Sequence, residues 1–299
     1  MANKNSSPKI TWDYGTAYEL FISLHVLNES EYFGIRPSYA AGVRSRIPAP
    51  ERKLLEEVFP IIGLPLKWLT TLPAPKDAIS ALWALKQIPP AERMIKLYRV
   101  DEVQEKAEHQ KFADILLRVA NKRKWKAEDA EFFLNYFQKR NNKLKVDAIE
   151  NILTWWSKPE EFGEAYLSAM QAYYQAFFEE EEKRVAPVLQ AGLENAKSLS
   201  AKLSFDDLFL ELSQGVQMTD EFQASKFVIA PAFWITPLIF FERLDKDTML
   251  LMFGARPADM SVIPGETVPD SLVRSLKALA DPTRLKILFL SFKRIFNTL

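Results

Sequence analysis

The sequence predicts a mainly α protein, of α+β type, in which a large helical body carries one β-hairpin near residues 226–256. Three observations lead there. Only nine of the 299 residues are glycine, and apolar side chains mostly recur three and four positions apart, the spacing that gathers them on one face of a helix. Short proline-centred loops divide these runs, as in "TTLPAP" (70–75) and "QIPPAE" (87–92). One stretch, "KFVIAPAFWITPLIFFERLDKDTMLLMFG" (226–254), abandons the helical spacing for β-branched and aromatic residues, which favour strands.

Taken in order, "YELFISLHVL" (18–27) sets Leu20, Leu24 and Leu27 on one helix face beside Tyr18 and Phe21. "APERKLLEEVFPII" (49–62) carries Pro50 in a first-turn position, where a missing N–H costs nothing. "PKDAISALWALKQI" (75–88), "KFADILLRVANK" (111–122) and "AEDAEFFLNYFQKR" (127–140) read as further amphipathic helices. The longest helix is expected from about Pro159 to beyond Lys183, with Phe162, Tyr166, Met170, Tyr173 and Phe177 in phase. Pro187 is expected to kink or end it. In "EEEEKR" (179–184), glutamates one turn before Lys183 and Arg184 suggest a solvated face. Ser204 before Asp206 and Asp207 reads as an N-cap with acidic residues in the first turn. Within 226–254, "PLIFFE" should pair with "TMLLMF" across the polar turn "RLDKD". Pro231 and Pro237 should make the first strand of the stretch an edge, or split it in two. "SVIPGETVPD" (261–270) reads as a linker. The domain reading is therefore a sensor or dimerisation body over 1–262, a linker over 263–270 and a C-terminal segment over 271–299.

Composition excludes some chemistry. With no cysteine there is no disulfide and no thiolate metal site, and two histidines alone make no His-rich metal centre. Glycine-rich phosphate loops, the nucleophile-elbow motif and the zinc-protease motif are all absent. No catalytic, metal-binding or cofactor-binding residue is assigned, and the chain does not read as an enzyme. His25, inside an apolar helix, reads as a core histidine, and His109 in "EKAEHQKF" as exposed. The most apolar stretch, 227–241, is broken by two prolines and is too short to span a bilayer, and the polar N-terminus lacks a signal-peptide core. A cytoplasmic protein without membrane contact is the expectation. Trp155, Trp156, Phe162, Tyr166, Tyr173, Tyr174, Phe177 and Phe178 crowd into one stretch. Core packing explains such spacing first. A pocket lined by Trp155, Tyr166, Tyr173 and Phe177, holding a small apolar ligand, is the alternative.

Net charge is zero but unevenly spread. Residues 271–299 hold Arg274, Lys277, Arg284, Lys286, Lys293 and Arg294 against Asp281 alone, a net +5 that leaves −5 on the rest. This suits nucleic-acid contact, and equally docking on an acidic body. In "SLVRSLKALADPTRLKILFLSFKRIFNTL" (271–299), Leu272, Leu276 and Leu279 share one face of a first helix. Asp281 as N-cap and Pro282 at the first position open a second, with Leu285, Leu288, Phe292, Ile295 and Leu299 spaced three and four apart.

"LKALADPTRLKIL" (276–288) resembles the start of the ArsR family of winged-helix transcriptional regulators. The resemblance implies that 271–299 form the first two helices of a winged-helix domain, whose helix-turn-helix and wing would follow. "FLSFKRIFNTL" stands in their place, so the segment reads as a two-helix remnant without recognition helix or wing. The family's metal-sensing members use cysteine pairs, which this chain lacks. More loosely, "AYELFISLHVLN" (17–28) and the helical sequence after it resemble the long N-terminal domain of some ArsR-like regulators. The expected function is an ArsR-like transcriptional regulator, homodimeric through Leu272, Leu276, Leu285, Leu288, Phe292 and Ile295. As it stands it is not competent for specific DNA binding. Lys286, Lys293 and Arg294 are candidates for weak phosphate contacts, and DNA is expected as a specific partner only of a full-length form. The alternative is a ligand- or partner-binding module whose C-terminal helices serve homodimerisation.

Overall fold

A computed structural model describes residues 7–59, 63–100, 107–139, 144–219 and 222–265. The chain divides after Ala255 into two units, and of the second, 256–299, the described part is 256–265. The sequence reading placed this boundary seven residues later, after residue 262. The segment 271–299, with its expected helices, dimer contacts and phosphate contacts, lies outside the described residues.

The first unit is mainly α with a small sheet. It opens with strand β1 (Lys9–Trp12) and continues through α1 (Thr16–Asn28), α2 (Pro37–Ser45), α3 (Ala49–Val58), α4 (Leu66–Thr71), α5 (Ala78–Gln87), α6 (Pro90–Leu97), α7 (Ala107–Lys122), α8 (Ala127–Gln138), α9 (Val146–Trp156) and α10 (Pro159–Tyr173). A π-helical turn, Tyr174–Phe178, joins α10 to α11 (Glu179–Ser200); α12 (Phe205–Leu212) and strands β2 (Lys226–Ala232), β3 (Phe240–Arg243) and β4 (Thr248–Gly254) follow. Local signals set many starts. The Asp77 carboxylate accepts the Ser80 N–H at 2.7 Å to cap α5, Asp129 reaches back to the Lys126 N–H at 2.8 Å to start α8, and the Ser204 hydroxyl caps α12 through the Asp207 N–H as expected.

The expected hairpin forms as β3 and β4, antiparallel with Phe240 opposite Met252 and Arg243 opposite Met249. Asp245 closes its turn by accepting the N–H groups of Asp247 and Thr248 at 2.8 and 2.9 Å. Around the hairpin the sheet is larger than the sequence suggested. Its order is β1-β2-β4-β3, with β1 and β4 both parallel to β2. The 226–254 stretch is indeed split in two, but β2 is a central strand, which corrects the edge reading. Pro231 is tolerated there for a geometric reason. In a parallel pairing one residue's N–H and C=O face the same neighbour. The Ile229 carbonyl accepts from Asp13 on the β1 side, while the Ala232 carbonyl accepts from Ala255 on the other. Pro231 therefore faces the β1 side, past the last β1 residue, where no strand requires its N–H.

Alternate residues of the sheet, Phe227 and Ile229 on β2 with Met249, Leu251 and Phe253 on β4, pack with Phe205, Leu208, Phe209 and Leu212 of α12 and Ala196 of α11. Gly192 lets α11 approach, since a Cβ there would stand 2.6 Å from the Ala255 Cβ. This packing explains why α11 runs through Pro187 to Ser200 instead of ending. Val185, Leu189, Leu193 and Ala196 bury one stripe, enough to offset the roughly 3 kcal/mol that an interior proline costs. Helix α1 is buried on almost every side rather than on one face, from Thr16 to Leu27 with His25 half-buried. Among the described residues, no helix is long and apolar enough to cross a membrane.

Candidate functional site

The four residues expected to line one apolar pocket occupy different surroundings. Tyr173 is fully buried, its hydroxyl 2.8 Å from the Ser23 hydroxyl, and its ring lies 5.8 Å from Phe177, which in turn meets Trp234 edge-on at 5.9 Å. Tyr166 pairs hydroxyl to hydroxyl with Tyr98 at 2.9 Å. Trp155 lies at the surface between α3, α9 and α10, donating its indole N–H to Glu57 at 3.1 Å. It lines a groove of about 290 Å³ with Glu51, Leu54, Glu57 and Ser168.

A small cavity lies beside the tyrosine pair, at about 30 Å³, bounded by Phe21, Leu24, His25, Phe59, Tyr98 and Tyr166. That volume suits a water-sized guest. Its wall is neutral: burial pushes His25 down to about 4, and the imidazole meets Phe33, Phe59 and Phe240 at centroid distances of 5.2 to 6.1 Å. Burial raises Tyr98, with the Tyr166 hydroxyl adding to it, and pushes Tyr166 up to about 12 against the pull of its bond to Tyr98. Such a site can offer one hydroxyl hydrogen bond to an otherwise apolar guest. His25 is thus the core histidine that was expected. His109 departs from expectation: it is half-buried against the edge of Tyr136, and its Nδ1 is buried without a partner.

The sequence reading missed two polar centres where the helices meet the ends of the parallel strands. After β1, Asp13 accepts from the Tyr18 hydroxyl and the Lys76 ammonium, each at 2.6 Å. Burial and then Asp13 hold the Tyr18 hydroxyl far above the ordinary phenol range, so it stays protonated and serves as a donor. After β2, the Glu19 carboxylate, fully buried in α1, accepts the backbone N–H groups of Phe233 and Trp234 at 2.8 and 3.1 Å. Glu181 is buried nearby and paired with Arg184, whose Nε donates at 2.8 Å. The acidic run is therefore only partly a solvated face: Glu179 and Glu180 are exposed, Glu181 is buried, and Glu182 bonds the Thr16 hydroxyl and the Ala78 N–H. A signal for this was present. Glu181 falls in phase with Val185, Leu189 and Leu193, and Glu19 stands amid the apolar run "AYELFISL". Among the described residues, no cluster of three or more histidine or acidic side chains is placed to hold a metal ion.

No family model, no curated protein and no solved structure matches this chain.

Proposed function

We propose that the chain is a cytoplasmic, homodimeric ArsR-like transcriptional regulator whose helical unit is a regulatory body and not an enzyme. The observation that carries this reading is the phrase "LKALADPTRLKIL" at 276–288. In the body, the polar centres around Asp13 and Glu19 direct their hydrogen bonds to the protein's own backbone and side chains, as suits a structural scaffold. Residues 271–299 supply Lys286, Lys293 and Arg294 as candidates for phosphate contacts.

DNA binding tests the reading. The purified chain should bind duplex DNA weakly and without preference for the region upstream of its own gene over a scrambled duplex. Replacing the three basic residues by alanine should flatten the salt dependence by about 0.9 logarithmic units for each phosphate that is no longer neutralised. A salt-resistant complex with one duplex alone would show that the chain reads bases itself. No binding to either duplex at low salt would favour a pure binding module. In the same reading, the stripe formed by Leu272, Leu276, Leu285, Leu288, Phe292 and Ile295 joins two copies, and each such side chain contributes on the order of 1.5–3 kcal/mol when buried. Changing Leu288 and Phe292 to aspartate should turn a dimer into a monomer in light scattering, and a wild-type monomer would sink the dimer.

A second reading, a ligand-binding module, rests on the cavity beside Tyr98 and Tyr166. A guest small enough for about 30 Å³, such as xenon under pressure, should raise the melting temperature through binding to the native state, and Tyr166→Trp, which would fill the space, should remove that rise. An unchanged melting temperature across such guests at saturating concentration would end it.

A further inference from the structure

The groove beside Trp155 has a composition that neither reading above uses. Glu51, Leu54 and Glu57 line it from α3, three residues apart and so on one helix face. Ala165 and Ser168 line it from α10, and Trp155 from the last turn of α9. The indole is held from two directions. Phe162 packs against it at 5.7 Å with the rings 32° apart, and its N–H is committed to the Glu57 carboxylate at 3.1 Å. The ring is therefore a fixed, half-buried apolar platform beside a carboxylate.

Both acids keep capacity for a donor. Glu51 accepts the Ser168 hydroxyl at 3.3 Å through Oε1, and its Oε2 is bonded to no described residue. Glu57 gives Oε2 to Trp155, and its Oε1 lies 3.7 Å from the Lys53 ammonium, too far for a hydrogen bond. The Lys53 side chain is 77% exposed against 22% for Glu57, so water screens the lysine and it holds the carboxylate only loosely. Two carboxylates and one loose ammonium leave the groove with a negative excess beside an aromatic ring. A guanidinium answers both features, since it stacks on aromatic faces and sends a fork of N–H groups to carboxylate oxygens. An ammonium is a strongly hydrated point charge and matches neither as well. The volume, about 290 Å³, lies at the lower edge of the roughly 300–1,000 Å³ of small-molecule sites and suits one long side chain. We propose that this groove docks an arginine side chain of a polypeptide partner. The guanidinium lies on Trp155, bonds to Glu51 and Glu57, and displaces Lys53. A polypeptide fits better than a free amino acid, whose carboxylate would be drawn toward the same two acids.

Titration of the whole chain with N-acetyl-arginine amide, read by NMR at the tryptophan indole N–H groups, tests the docking. The Trp155 resonance, identified by its loss in Trp155→Phe, should shift with a Kd on the order of 1 mM, as befits a single side chain. The citrulline counterpart has the same shape without the charge and should bind about tenfold more weakly. The lysine counterpart and free arginine should also bind more weakly than the blocked arginine. Glu51→Gln leaves the bond between Trp155 and Glu57 in place and should weaken arginine binding about tenfold. Lys53→Ala removes the competing ammonium and should tighten it. Equal shifts with arginine and citrulline, or no shift at roughly tenfold above that Kd, overturn the site. Free arginine binding as tightly as the blocked form overturns the polypeptide occupant in favour of a small molecule. Should Glu51→Gln fail to fold, the citrulline comparison and Lys53→Ala, a change at an exposed side chain, still decide the matter.

Discussion

The corner where α5, α6 and α10 meet and the junction of α1, α11 and β2 each bury a charged side chain, and they satisfy it in opposite ways. At the corner, Arg93 is 2% exposed and donates to backbone carbonyls: Leu85 at 3.1 Å, Lys86 at 3.4 Å, Ile88 at 3.2 Å and Gly163 at 2.8 Å. Leu85 and Lys86 are among the last carbonyls of α5, which have no partner within the helix. A cation at that end is also favoured by the helix dipole. Glu164 adds an ion pair at 3.2 Å from the exposed side. At the junction, Glu19 accepts two N–H groups and meets a second acid. The guanidinium cannot lose its proton in a protein, whereas the carboxyl group can gain one. One buried charge is therefore a permanent staple and the other is sensitive to pH.

The largest effect should come from breaking the staple. Arg93→Met takes the donor from the Leu85 and Gly163 carbonyls inside the corner and from the part-buried Lys86 and Ile88 carbonyls at its edge, and should cost on the order of 3–5 kcal/mol, measured by urea denaturation. A loss below about 1 kcal/mol would mean that water replaces the guanidinium and that the corner is not a staple. Helix packing here is equally close: a Cβ on Gly163 would stand 2.1 Å from the Pro90 carbonyl oxygen. Gly163→Ala should therefore destabilise by roughly 1–3 kcal/mol despite the better helix propensity of alanine. A neutral or stabilising result would show that α6 can slide away from α10.

Varying pH separates the two sites further. Glu19 is raised in the folded state, so its contribution is fully present below the ordinary carboxylate range and is lost as pH rises toward about 7. The Glu19 contribution should fall over that window by a few kcal/mol, read as the difference between wild type and Glu19→Gln. Arg93→Met should keep the same fall from a lower starting point, and Glu19→Gln should abolish it. A pH profile identical in wild type and Glu19→Gln would place the titrating group elsewhere. His25 supplies the opposite and smaller slope. Its folded value is lowered to about 4, so the unfolded chain takes up a proton first as pH falls below the ordinary histidine range. The His25 contribution should therefore decline from about pH 6.5 toward 4, by about 1–2 kcal/mol after allowing for the partial exposure of the ring. His25→Phe should flatten that acid limb, and an unaltered limb would show that other groups carry it.

Periodicity alone determined much of this protein. Within the described residues, the helices read from three- and four-residue spacing are present, as are the proline-centred loops between them, the Ser204 cap and the hairpin around Asp245. These features depend on residues near one another in the chain, so local preferences suffice to specify them. Tertiary structure decided what depends on distant partners. β1 is a short, half-exposed strand with little pattern of its own, and it exists because β2, more than two hundred residues later, pairs with it. Packing against the sheet carried α11 through Pro187, and pairing geometry let Pro231 sit in a central strand. Arg93 looks like an ordinary solvated charge in the sequence, and Glu181 is set apart from its acidic neighbours only by its phase with Val185, Leu189 and Leu193. Only the fold withdraws them from water, because the groups that satisfy or perturb them arrive from other elements. The apolar stripe and basic residues of 271–299 remain a matter of sequence pattern, and the function proposed for them rests on that pattern.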